Sequence, residues 1–146
     1  MESPALEPEI RRFVKEENLD SHFTYAGYVG EDVKRTEYFR DSDIFIFPTQ
    51  RDVFGLVLLH AMAEGLPVVA SIEGAIPEIV QDGENGFLFP KGDEKELAQH
   101  ILTLAAGPPL RKRMGAAGRQ RYLLNFTPQM YGERMIGAFK FIDSLN

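Results

Sequence analysis

Phe45-Ile46-Phe47, then Asp52-Val53-Phe54-Gly55-Leu56-Val57-Leu58-Leu59-His60, then Pro67-Val68-Val69-Ala70-Ser71 is the stretch that decides the fold. Two short apolar runs flank a longer one that starts at a glycine and stops at Gly65. The order reads as strand, loop, buried helix, strand. Strands covered on both faces carry nearly unbroken apolar runs, as these do. The unit is therefore parallel α/β, with a helix opening beside a strand's carboxyl end, where open α/β sheets bind ligands. Asp52 and His60 bracket that opening.

Working outward, Pro8 to Asn18 reads as a helix with Ile10, Phe13 and Val14 on one stripe, and His22 to Val29 as a short strand. Glu31 to Asp41 suits a helix burying Val33, Tyr38 and Phe39, and Asp43 to Phe47 a second strand. The central helix, Phe54 to Glu64, meets Gly65, a left-handed cap, with Pro67 beyond to stop it. Val68 to Ser71 is a third strand, Pro77 starts a short helix, and Phe87 to Phe89 is a fourth strand after the turns Asp82-Gly83 and Asn85-Gly86. Three more helices follow. Asp93 with Glu96 begins the first, with Leu97, Ile101 and Leu104 as its buried stripe. Leu110 to Leu124 is basic, and Thr127 caps a last helix carrying Tyr131, Met135, Phe139 and Ile142 along one side. Alternating strands and helices predict a Rossmann-like α/β fold, a mainly parallel sheet flanked by helices.

Composition excludes several classes. With 146 residues, 44% apolar and 26% charged, the chain is globular and long enough for a real core. No apolar run approaches a membrane span, and the first residues lack the basic start and apolar centre of a signal peptide. Zero cysteines rule out a disulfide or thiolate site and fit a reducing, cytoplasmic setting. A net charge of −6 argues against a nucleic-acid partner. His22 and His100 have no spaced acidic or histidine partners, so no metal site is expected.

At the start of the central helix the first N–H groups lack carbonyl partners and carry partial positive charge, so a phosphate fits there. Gly55 leaves the approach open. The loop Glu73-Gly74-Ala75-Ile76-Pro77-Glu78 leads to a second helix start beside the neighbouring strand, and two such starts would suit a diphosphate. Asp52 has a plainer reading as the helix's amino-terminal cap. His60 follows Leu56 by four positions on one helix face; among apolar neighbours it reads as a shielded imidazole needing a hydrogen-bond partner. The cations Arg111, Lys112, Arg113, Arg119 and Arg121 read as a solvated face, with an anionic acceptor or a membrane surface as the other option.

Residues from about Phe23 to Phe126 resemble the carboxyl-terminal, donor-binding half of a GT-B glycosyltransferase of the family 4 type (glycosyl transferases group 1). The matching pieces are Phe23-Thr24-Tyr25-Ala26-Gly27, Asp43-Ile44-Phe45-Ile46-Phe47-Pro48-Thr49, Phe54-Gly55-Leu56-Val57-Leu58-Leu59, Ala61-Met62-Ala63-Glu64-Gly65-Leu66-Pro67-Val68-Val69-Ala70-Ser71, Pro77-Glu78-Ile79-Val80 and Asp82-Gly83-Glu84-Asn85-Gly86. The resemblance implies transfer of a sugar from a nucleotide-sugar to an acceptor with retention, without metal or other cofactor. It implies that Asp52 contacts the donor sugar, that Phe54, Gly55 and Leu56 hold the distal phosphate and sugar, and that His60 takes the ribose. Gly27, Tyr28 and Val29 would frame the base, and Gly74 and Ala75 would lie near the phosphates. The family carries glutamates where this chain has Asp52 and His60, and glycines at Val53 and Ala75.

On the same resemblance residues 1–126 form a partial donor-binding domain, and 127–146 a helix that packs back on an amino-terminal acceptor domain. That domain and the first two strands of this half would precede residue 1, leaving a gap in the sheet to be closed by repacking, a partner subunit or homo-oligomer pairing. The rival readings are a degenerate, non-catalytic scaffold or regulatory module, and an epimerase-like GT-B enzyme acting on nucleotide-sugars.

Overall fold

A computed structural model describes residues 6–30 and 32–145. They fall into two compact units, Met1–Arg35 and Thr36–Asn146. In the first, helix α1 (Leu6–Glu16) has Glu7 and Glu9 in its first turn and Lys15 in its last, complementing the helix dipole. Val14 is its buried residue, whereas Phe13 is exposed. The helix ends at Asn18, which takes φ 58° while Leu19 N–H donates to the Val14 carbonyl and Asn18 N–H to that of Lys15. Asparagine tolerates this left-handed cap better than most residues. The strand expected at His22 to Val29 does not form: residues 23–30 are irregular. A strand needs a ladder partner, and none among the described residues pairs with this segment; Phe23 and Tyr25 are exposed, with the Arg11 guanidinium 5.2 Å from the Tyr25 ring.

Helix α2 (Asp32–Arg40) contains the boundary between the units. Of the residues expected to be buried on it, Phe39 is buried and Tyr38 is exposed; Glu31 and the Val33 side chain lie outside the described residues.

The second unit holds a parallel sheet of β1 (Phe45–Phe47), β2 (Val68–Ser71) and β3 (Gly86–Phe89), in that spatial order. Phe45, Ile46 and Phe47 pair with Val68, Val69 and Ala70, which pair in turn with Gly86, Phe87 and Leu88. The three strands are contiguous, and no strand forms at residues 22–29, so no gap between that segment and β1 is seen among the described residues. Central β2 is buried throughout, as its unbroken apolar run requires. On one face Val68 and Ala70 pack with Leu58, Ala61 and Met62 of α3 (Leu56–Ala63) and with Ile76 and Ile79 of α4 (Ile76–Ile79). On the other, Val69 and Phe89 meet Leu104 of α5 (Glu94–Ala106) and Met114 of α6 (Pro108–Asn125).

Helix ends follow the sequence signals. Gly65 has φ 77° and closes α3, with Leu66 N–H donating to Ala61 and Gly65 N–H to Met62. A Cβ on Gly115 of α6 would stand 2.0 Å from the Gly65 carbonyl, so the two helices touch backbone to backbone. The Asp93 carboxylate accepts from Glu96 N–H at 3.0 Å, and the Thr127 hydroxyl from Met130 N–H at 3.2 Å, starting α5 and α7 (Pro128–Asp143). Helix α6 begins at Pro108 rather than Leu110, because proline is tolerated in a first turn. Its cations are not simply solvated. Arg111 donates to the Leu104 and Ala105 carbonyls that end α5, and Arg121 to the Glu78 and Ile79 carbonyls that end α4. Helix α7 has no buried residue; Tyr131, Met135, Phe139 and Ile142 are all exposed. Among the described residues no helix is long and apolar enough to cross a membrane.

Candidate functional site at the start of α3

Two loops leave the carboxyl ends of adjacent strands, residues 48–55 after β1 and 72–75 after β2. They are tied together. The Ser71 hydroxyl donates to the Thr49 carbonyl at 2.6 Å, and Ala75 N–H donates to the Val53 carbonyl at 3.1 Å. Gly74 has φ 49°, and a Cβ there would lie 2.6 Å from the Asp52 carbonyl and 2.7 Å from that of Val53. Only glycine allows the loops to meet this closely. Sequence reading placed Gly74 beside phosphates, but this contact with the Asp52 loop carries no sequence signal.

Helix α3 begins at Leu56, two residues later than expected, because Gly55 takes φ 75°, ψ 41°. Asp52 turns its carboxylate onto the two amides that precede the helix. Its Oδ1 accepts from Phe54 N–H at 2.9 Å and also from Gly55 N–H. The cap position is therefore Gly55 and not Asp52 as expected, but two of the amides assigned to a donor phosphate already hold the Asp52 carboxylate. The N–H groups of Leu56 and Val57 have no hydrogen-bond partner among the described residues. Hydrocarbon surrounds this opening, with Val53 87% and Leu56 63% exposed and Phe54 also exposed.

The second helix start behaves differently. Ala75 N–H is bound to Val53, Ile76 N–H donates to the Glu73 carbonyl at 3.0 Å, and Pro77 has no N–H. Helix α4 is a single turn whose opening groups are satisfied by backbone, so it does not supply the second set of free amides expected from the sequence. Its carboxyl end is held by Arg121, and Glu73 is neutralised by Lys91 at 2.6 Å.

His60 is exposed, one turn after Leu56. Its ring stacks on Phe39 with centroids 6.3 Å apart and planes at 11°, and it has no hydrogen-bond partner among the described residues. This corrects the shielded imidazole expected from its apolar neighbours: the buried face of α3 is the one carrying Leu58, Ala61 and Met62, and His60 shares the other with Leu56. The shielded histidine is His100, stacked on Phe87 at 4.5 Å, with Nε2 buried and 3.5 Å from Glu96 Oε1. Gly27, Tyr28 and Val29 belong to the first unit, where Gly27 has φ 66° and Tyr28 is largely exposed. Among the described residues no cluster of three or more His, Asp or Glu side chains could hold a metal ion.

Parallel strands flanked by helices, with a helix opening beside a strand end, make a Rossmann-like domain, and comparison with solved structures matches it to the carboxyl-terminal domain of the GT-B glycosyltransferase class. The crystal structure of the carboxyl-terminal domain of a glycosyl transferase group 1 protein from Francisella tularensis superposes with a TM-score of 0.79 at 26% identity, covering 86% of this chain and 64% of that one. The family model described as glycosyl transferases group 1 matches residues 2–106, and the chain belongs to that family. Sulfoquinovosyl transferase of Arabidopsis thaliana is 35% identical over 112 residues, 71% of this chain and 22% of that protein. The Anabaena protein HepE, solved in complex with UDP-glucose, shares the fold with a TM-score of 0.83 at 22% identity, covering 94% of this chain and 37% of HepE. The chain thus spans well under half the length of that transferase and of HepE.

Proposed function

We propose that this chain forms the donor-binding portion of a retaining glycosyltransferase that takes its sugar from a nucleotide-sugar. The observation that carries the reading is the start of α3, where two N–H groups, at Leu56 and Val57, lack partners among the described residues and two more just before them are held by one carboxylate. Family membership and the UDP-glucose bound to HepE support it. In this reading the amides of Phe54, Gly55 and Leu56 take the distal phosphate, Asp52 orients donor-sugar hydroxyls, and the exposed His60 imidazole contacts the ribose. Gly74 and Ala75 shape the loop beside the phosphates. An imidazole offers one donor and one acceptor, where a carboxylate would accept from two vicinal hydroxyls.

Calorimetric titration of the folded chain with uridine and guanosine diphosphates and their sugar conjugates tests this. Binding that is lost in Gly55→Val is expected; no binding at millimolar ligand overturns the reading. A second reading, a non-catalytic module that keeps the fold, draws on the satisfied amides of α4 and the exposed Val53. It predicts that His60→Glu with Val53→Gly creates nucleotide binding that the natural chain lacks.

A further inference from the structure

The amino-terminal ends of β1 and β2 border a second polar cavity, at the edge of the sheet opposite the loops of residues 48–55 and 72–75. We propose that this cavity, between the ends of α2 and α3 and the first turn of α6, binds a small phosphate-bearing anion through Arg111 and Lys112. The proposal uses none of the donor-site residues and stands or falls apart from that reading.

The cavity has a volume of about 250 Å³, and its charged lining sets Arg40, Arg111 and Lys112 against Asp43 and Glu64. That is a local cationic excess in a chain whose net charge is −6. Pairing leaves the excess on α6. The Arg40 guanidinium is taken up by Glu64 at 3.0 Å. Arg111 is fixed in place, because its Nη1 donates to the Leu104 and Ala105 carbonyls and its side chain is only 21% exposed. Its Nη2 meets Asp43 Oδ1 at 3.5 Å, a loose contact with a carboxylate that is itself 81% exposed. An ion pair of that kind contributes little, since water competes for the carboxylate. Lys112 forms no hydrogen bond or ion pair among the described residues.

Helix ends do not account for the site. Pro108 and Pro109 open α6 without N–H groups, so the cations are side chains. Carbonyls at the ends of α2 and α3, which would repel an anion, are engaged by their own chain. Tyr38 accepts from the Ser42 hydroxyl, and His60, Ala61 and Met62 accept from Glu64, Leu66 and Gly65 N–H. A preorganised guanidinium edge beside an ammonium matches phosphate oxygens, the first by its planar fork and the second as a point charge. The volume falls below the roughly 300–1,000 Å³ of pockets for drug-sized ligands, so a short phosphoester fits better than a nucleotide. Phe39 and Leu66 in the lining are buried and offer no surface to an acyl chain, which favours a soluble phosphoester over a lipid headgroup.

Nuclear magnetic resonance titration of the full chain with glycerol 3-phosphate tests the proposal, alongside the Lys112→Gln and Asp43→Asn variants. Both substitutions fall on exposed side chains, so both variants are expected to fold. Saturable shifts are expected at the Gly65, Arg111 and Lys112 amides. Lys112→Gln should weaken binding about fivefold or more by removing the unpaired cation. Asp43→Asn should tighten it about twofold, because the competing carboxylate loses its charge. Uridine diphosphate should not displace the ligand. No saturable shift at millimolar glycerol 3-phosphate overturns the proposal, as does displacement by uridine diphosphate, unchanged affinity in Lys112→Gln, or weaker binding in Asp43→Asn. Capture by vesicles of phosphatidic acid in phosphatidylcholine, with no binding of free glycerol 3-phosphate, also overturns it.

Discussion

The starts of α3 and α4 stand at the ends of neighbouring strands, yet their opening N–H groups differ in how they are met. At α4 the partners are backbone carbonyls of Val53 and Glu73, and a proline removes one donor altogether. At α3 the Leu56 and Val57 N–H groups have no partner among the described residues, and the Phe54 and Gly55 amides just before them are held by the Asp52 side chain. A helix start satisfied by backbone is a structural joint, whereas one satisfied by a side chain can exchange that side chain for a ligand. The difference gives α4 the task of holding the loop and leaves α3 as the helix start on which the proposed donor site rests.

The comparison breaks most severely at Gly74. Gly74→Val adds a side chain at φ 49° against two carbonyl oxygens, so either the loops separate or the chain is strained. A loss of about 3 kcal/mol or more is expected in urea unfolding, together with loss of nucleotide binding. Arg121→Ala comes next. It strips the charged donors from the carbonyls that end α4 and should cost about 2 kcal/mol in the same assay, with partial rescue by Arg121→Lys. Asp52→Ala removes the carboxylate that holds two amides and should cost about 1 kcal/mol, and Asp52→Asn much less. His60→Ala touches an exposed ring stacked on Phe39, so stability should change by no more than about 0.5 kcal/mol while nucleoside diphosphate affinity falls severalfold. If His60→Ala proved the most destabilising of the four and Gly74→Val the least, α4 would not be the rigid partner.

Much of the fold is legible because its signals are local. Gly65 before Pro67, Asp93 with Glu96, and Thr127 before Pro128 each mark a helix end through groups within a few residues of one another, and the caps form there. The apolar run of β2 identifies a central strand because a strand covered on both faces cannot alternate. The failure at residues 22–29 has the opposite cause. Their β-like composition says nothing about whether a neighbour exists to complete a ladder, and irregular backbone results when none does.

At the site, sequence singled out Asp52, Gly55, His60 and Gly74 as one neighbourhood, but not their relationships. The apolar letters around His60 suggested burial because a helix spelled mainly in hydrocarbon reads as covered all round. In the structure α3 leaves Leu56 and His60 outward. The cations of α6 read as a charge run, yet two of them terminate other helices, since hydrogen bonds spanning 42 and 43 residues have no trace in local spacing.

Sequence by itself determined the parallel α/β alternation, most helix ends and the family, since each depends on residue type over short spans or on a pattern kept in order along the chain. Tertiary structure decided which of two helix starts keeps amides free of backbone partners, where His60 faces and why Gly74 must be glycine. Those outcomes depend on which backbone atoms from distant segments come within van der Waals and hydrogen-bond distance, and that distance is set only once the strands are paired and the helices are packed on them.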